Sequence, residues 1–133
     1  MTDIDAVALV EEALRGVFPK QAGYLNQQLF HIAVEAGLKG DEEPFDPRYG
    51  GQDLSVLEIA WLLCQAACFA KYCIEIYRGL KKDGKNTDAQ ELASMANEGW
   101  KPPNPPSQVR GTIEDQLTPK ARQEIAAVII LRI

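Results

Sequence analysis

The segment Ile59–Tyr77 reads IAWLLCQAACFAKYCIEIY, and it decides the fold because sixteen of its nineteen residues are apolar. Its longest run without a charge, residues 59–70, has only twelve residues and is followed by Lys71 and Glu75. A membrane-spanning helix needs about 20 mostly apolar residues, and a charge near the bilayer centre costs roughly 2.5–3.5 kcal/mol. The segment is therefore predicted to be a buried core helix, and no membrane partner is expected.

The polar residues in and around this segment change sides along the helix. At about 100° per residue, Glu58 and Gln65 lie on one side. Four later polar residues lie about 100–160° further round the helix: Lys71, Glu75, Arg78 and Lys82. A helix on the surface of a domain keeps one polar face along its whole length, and this one does not. We therefore predict the central helix of a bundle, wrapped by the other helices.

Helix signals before and after the segment predict four further helices and no strand. Gly37–Leu38 resembles the left-handed glycine and hydrophobic contact that end a helix. Thr87 and Gln90 form a capping pair, and Thr118–Pro119 is a helix start. The predicted helices cover roughly residues 3–16, 20–36, 53–80, 88–98 and 119–131, with a Pro-rich connector over 101–108. Residues 1–133 are thus predicted to form a single all-α domain, a bundle of about five helices around a long central third helix.

Length and charge exclude some classes of function. The chain has 133 residues, a formal net charge of −5 and a sequence pI near 4.9. Nucleic-acid binders need clustered Lys and Arg, so no nucleic-acid partner is expected. The first residues, MTDIDAVALVEEA, carry acids where a signal peptide has basic residues. Three cysteines within ten residues indicate no disulfide framework, and we expect a cytoplasmic location.

The residues that invite a catalytic or metal site have simpler interpretations. Cys64 and Cys68 share a helix face, but Cys73 lies about 180° round from Cys64, so the three cannot converge on one ion. We interpret them as small buried side chains, and predict no metal and no cofactor. His31 is the only histidine, with Glu35 four residues on. We interpret this as an exposed helix pair, because no catalytic or metal-binding motif accompanies it.

The segment Gly79–Thr87, GLKKDGKNT, resembles a phosphate-binding loop in its spacing. Asn86 stands where that loop has Ser or Thr, and the segment follows a helix instead of a buried strand. A helix-ending glycine and an Asp-Gly turn account for the same residues. No nucleotide site is predicted.

Nine residues are predicted to contact a partner, in three groups. The group at the exposed end of the central helix is Tyr72, Ile76, Tyr77 and Leu80. The group in the acidic loop before that helix is Asp41, Glu42, Glu43 and Asp46. The last residue, beside the prolines, is Trp100. Aromatic residues are common interface anchors, and acidic residues suit a basic partner. For Trp100, packing onto the bundle is the preferred alternative.

We interpret the chain as a non-enzymatic protein that acts by binding another protein, as an inhibitor, an adaptor or an immunity-type protein. Residues 1–60 carry 11 Asp and Glu against 4 Lys and Arg, whereas the end of the central helix is basic. A homodimer that pairs these surfaces is a second form of association. Two alternatives stay open: an enzyme or ligand-binding domain whose site is assembled across helices, and one helical module of a longer chain.

Overall fold

The protein is an all-α bundle, as predicted. The structure is a computed structural model that describes residues 3–39, 54–101 and 117–133, and these ranges contain no strand. The described residues form six helices: α1 (Asp3–Val17), α2 (Pro19–Tyr24), α3 (Gln27–Lys39), α4 (Leu54–Lys82), α5 (Ala89–Gly99) and α6 (Pro119–Arg132).

Helix α4 is the centre of the bundle, because each of the other described helices packs against it. Every side chain from Leu63 to Ala70 is buried. By length and composition alone, residues 55–82 could also cross a membrane. However, 67% of the most apolar window of that helix is buried against the rest of the chain, as in the core helix of a bundle.

The predicted polar side of α4 is only partly exposed. Gln65 is 1% exposed, so the expectation that it lies in water beside Glu58 is wrong. The reason is that helices surround this part of α4 on all sides. The position of Gln65 on the helix gives the direction of its side chain, but it does not show that another helix covers that side. Further along, Lys71 and Arg78 are half-buried, and Glu75 is exposed.

The single helix predicted over residues 20–36 is two helices. Leu25 has extended backbone angles, φ −86° and ψ 146°, and separates α2 from α3. The Asn26 side chain accepts a hydrogen bond from the backbone N–H of Leu29 at 2.7 Å, which caps the start of α3. The break was missed because Leu25 and Leu29 are both buried, so the apolar spacing continues across it.

Gly37 does not end a helix, which corrects the sequence-based prediction. It lies inside α3, which continues to Lys39, and it is buried where α3 crosses α4. A Cβ atom on Gly37 would stand 2.2 Å from the carbonyl oxygen of Cys64 and 2.7 Å from the Cβ of Ala67. The glycine is therefore required by the close approach of two helix backbones.

The left-handed glycine that ends a helix is Gly84, with φ 70°. Its N–H donates to the carbonyl of Lys81 at 3.1 Å, and the N–H of Lys85 donates to the carbonyl of Leu80 at 2.8 Å. This pair of bonds is the Schellman motif at the end of α4. The interpretation of Gly79–Thr87 as a helix end and turn is confirmed, although Gly79 itself lies within α4.

The last two helices begin with side-chain caps. The Asp88 carboxylate accepts from the N–H of Glu91 at 2.8 Å, so the cap of α5 lies one residue after the predicted Thr87. The Thr118 hydroxyl accepts from the N–H of Ala121 at 3.1 Å, which confirms the predicted start of α6. Both helices then pack against α4 and against each other.

Candidate functional site

The predicted contact residues of α4 fall into two environments. Tyr72, Ile76 and Leu80 are half-buried and follow one another at intervals of four residues, so they share one side of the helix. We call these three side chains the α4 stripe. Tyr77 is only 6% exposed, and the expectation that it lies on the surface is wrong. It is about 100° round from Ile76, where the other helices cover it.

The α4 stripe lies on the same side of α4 as α5. The Tyr72 ring is next to the end of α5, because a Cβ on Gly99 would be 3.9 Å from it. Tyr72 and Ile76 also pack against the buried core. Exposed basic residues surround the end of the helix and the following turn: Lys81, Lys82 and Lys85. The result is an apolar row with a basic end.

Trp100 packs onto the bundle, as preferred from the sequence. Its ring meets Phe69 edge to face, with centroids 5.4 Å apart and an interplanar angle of 86°. The guanidinium of Arg122 lies 5.8 Å from the Trp100 centroid, and Asn97 accepts a hydrogen bond from the same guanidinium. Whether Trp100 also contacts a partner stays a prediction.

The four acidic residues predicted to meet a basic partner, Asp41, Glu42, Glu43 and Asp46, lie outside the described residues. So does the Pro-rich connector after Lys101.

His31 joins two helices through two carboxylates. Its Nδ1 is 2.6 Å from Oε1 of Glu11 in α1, and its Nε2 is 3.1 Å from Oε1 of Glu35 in α3. The hydrogen bond to Glu11 is the main reason that the pKa of His31 is raised above its ordinary value. The predicted pair with Glu35 is confirmed. Glu11 was not predicted, because it comes from another helix twenty residues earlier.

The three cysteines are free and buried, which confirms their interpretation as small core side chains. The Cys68 thiol donates a weak hydrogen bond to the carbonyl of Lys101 at 3.8 Å. Burial raises the pKa of Cys73 to about 12. Among the described residues, no group of three or more His, Cys, Asp and Glu side chains is arranged to hold a metal ion.

A groove of about 470 Å³ runs between α1, α3 and α4. Its lining combines apolar side chains with charged ones: Ala6, Val7, Leu38 and Ile74; and Glu35, Lys39, Lys71, Glu75 and Arg78. No sequence motif marks it, because the lining residues come from three helices that are far apart in the chain. Lys71, Glu75 and Arg78 were seen in the sequence only as part of a polar side of α4.

No model of a known protein family matches this chain, and no curated protein or solved structure matches it.

Proposed function

We propose that this chain is a small acidic binding protein that acts by contact with another protein through the α4 stripe. An inhibitor, an adaptor and an immunity-type protein all act in this way. The observation that carries the proposal is the row of Tyr72, Ile76 and Leu80, which stay partly exposed along one side of the central helix. The row extends about 12 Å at 1.5 Å per residue.

The composition of this surface suits an interface. Isolated apolar side chains are normal on protein surfaces, whereas a continuous row is less common. An aromatic residue such as Tyr72 combines a large contact area with a polar hydroxyl, and interfaces are enriched in such residues. The neighbouring Lys81, Lys82 and Lys85 favour a partner whose apolar contact surface is bordered by acidic groups.

A second copy of the chain has the required acidic character, because residues 1–60 carry 11 acidic and 4 basic residues. A homodimer is therefore one form of the proposal, and a different acidic protein is the other. The enzyme or ligand-binding alternative rests on the groove between α1, α3 and α4. That the chain is one helical module of a longer protein stays an alternative as well.

The test compares Leu80→Asp with Leu131→Asp, a matched control that places the same new charge on α6, where Leu131 is 82% exposed. Tagged wild type and both variants are recovered from the native host, and the molar mass of each purified protein is measured. We expect the wild type and Leu131→Asp to carry a stoichiometric protein partner or to have a doubled mass. Leu80→Asp should lose this association, because disrupting an interface anchor costs about 2 kcal/mol or more, roughly thirtyfold in affinity.

All three proteins must show the same cooperative thermal melt, so that loss of association is not loss of fold. The proposal is refuted if Leu80→Asp keeps the partner, or if the wild type is monomeric at high concentration and copurifies with no protein.

A further inference from the structure

The groove between α1, α3 and α4 lies nearly opposite the α4 stripe. Ile74 lines the groove and Ile76 belongs to the stripe, and side chains two residues apart point about 160° away from each other round an α-helix. The groove volume of about 470 Å³ falls in the range of roughly 300–1,000 Å³ that is usual for small-molecule sites. The groove is therefore a separate surface, large enough for a small organic ligand.

The apolar part of the groove comes from all three helices. Val7 of α1 and Leu38 of α3 are half-buried, and Ile74 of α4 is buried. Contact with the hydrocarbon part of a ligand would remove the exposed parts of Val7 and Leu38 from water, which favours binding. An apolar body thus suits the inner part of the groove.

Cations outnumber carboxylates among the described residues that line the groove. Lys39 comes from the last turn of α3, and Lys71 and Arg78 lie two turns apart on α4, about 10.5 Å along its axis. Two carboxylates, Glu35 and Glu75, oppose these three cations.

The two carboxylates are not equivalent. Glu35 already faces the imidazole of His31, with its Oε1 3.1 Å from Nε2. Glu75 is exposed and lies on α4 between Lys71 and Arg78 in sequence. Among the described residues that line the groove, three cations stand against two carboxylates, a balance of one positive charge, which suits an anionic ligand.

We propose that this groove binds a small amphipathic anion, with an apolar body over Val7, Leu38 and Ile74 and one anionic head group at Lys71 and Arg78. The arginine fork and the lysine ammonium are both suited to a carboxylate or phosphate head group. The inference adds a ligand site to the protein-binding surface proposed above and does not depend on it.

The test uses decanoate as the probe, with decanol and decylamine as ligands of the same chain length and different charge. Binding is measured by calorimetry and by backbone amide NMR shifts, below the concentration at which decanoate forms micelles. Decanoate should shift the amides around Val7, Leu38 and Ile74. It should bind about tenfold more tightly than decanol, as expected from one charge-assisted contact, and decylamine should bind least.

Two variants and one control locate the head group. Lys71→Gln and Arg78→Gln should each weaken decanoate binding by about tenfold and leave decanol binding unchanged. Lys120→Gln removes the same charge from an exposed position on α6, outside the groove, and should change neither. Higher salt should weaken the binding of decanoate more than that of decanol, because it screens the charges.

Thermal melts of the variants check that each one is folded. The proposal is overturned if decanoate does not bind up to its solubility limit, if its amide shifts lie outside the groove, or if decanol binds equally well. Unchanged decanoate binding by both Lys71→Gln and Arg78→Gln would overturn it as well. Because Leu80 is outside the groove, Leu80→Asp should bind decanoate normally, which separates this test from that of the α4 stripe.

Discussion

Replacing Gly37 by alanine should destabilise the protein strongly, although alanine is the better helix former. In an isolated helix the change would stabilise by about 1 kcal/mol. In this bundle the added Cβ would lie 2.2 Å from the Cys64 carbonyl oxygen, 2.7 Å from the Ala67 Cβ and 3.0 Å from the Cys68 nitrogen. Two of these three atoms belong to the α4 backbone, so no side-chain rotation relieves the overlap.

The only relief is to separate α3 from α4 by about 1 Å. A gap of that size loses roughly a quarter to a half of the dispersion attraction across the interface. Overpacking a core typically costs about 1–3 kcal/mol and occasionally more. The upper end applies here because the obstacle is backbone. After the gain in helix propensity is subtracted, we expect Gly37→Ala to lower the free energy of unfolding by about 2 kcal/mol. The melting temperature should fall by roughly 7 °C.

Urea denaturation followed by circular dichroism measures this change, with Gly79→Ala as the matched control. Gly79 is also inside a helix, but a Cβ there would have nothing within 4 Å. Gly79→Ala should therefore stabilise the protein by about 0.5–1 kcal/mol, as helix propensity alone predicts. If Gly37→Ala is as stable as Gly79→Ala, the close crossing of α3 and α4 is refuted, and with it the packing argument.

Three further predictions concern His31, the cysteines and the turn after α4. The pKa of His31 is raised in the folded protein, so its contribution to stability is complete below the ordinary pKa of 6.5 and is lost as pH rises through the folded pKa. Between pH 5.5 and pH 8.5, denaturation should show that the wild type loses more stability than His31→Gln does. The difference should be less than about 1 kcal/mol because the side chain is half exposed. If the wild type loses the same stability as His31→Gln, or less, the prediction is contradicted. Burial raises the pKa of Cys73 to about 12, so we expect a maleimide to label the cysteines only as fast as the protein unfolds. Rapid labelling in the absence of denaturant, or stoichiometric zinc or iron in the purified protein, would contradict the buried, non-liganding role. Gly84→Ala should lower the free energy of unfolding by about 1 kcal/mol because φ is 70° there, whereas Lys85→Ala should change it little. ATP should not raise the melting temperature. A nucleotide-dependent rise of several degrees would revive the phosphate-loop interpretation.

The sequence alone was sufficient for the features that depend on neighbours within one or two helical turns. The apolar run of Ile59–Tyr77 predicted a buried central helix, because hardly any of its helical surface is polar. The cap at Thr118 and the turn after Lys82 were readable for a similar reason, since a cap bonds to an N–H three residues away. Even the burial of the cysteines followed from their positions within that run.

Features that depend on which helix lies opposite were decided only by the tertiary structure. The pair Gly37–Leu38 has the same local pattern as a helix end, and only the passage of α4 within contact distance shows that the glycine makes room for another backbone. Glu11 and His31 meet because α1 packs beside α3, and no periodicity within either helix encodes that meeting. The groove likewise exists only because residues of three helices line it together. Helical periodicity determines which side of each helix is apolar, but the depth of burial, the partner of each charge and the shape of a cavity are set by residues distant in the chain.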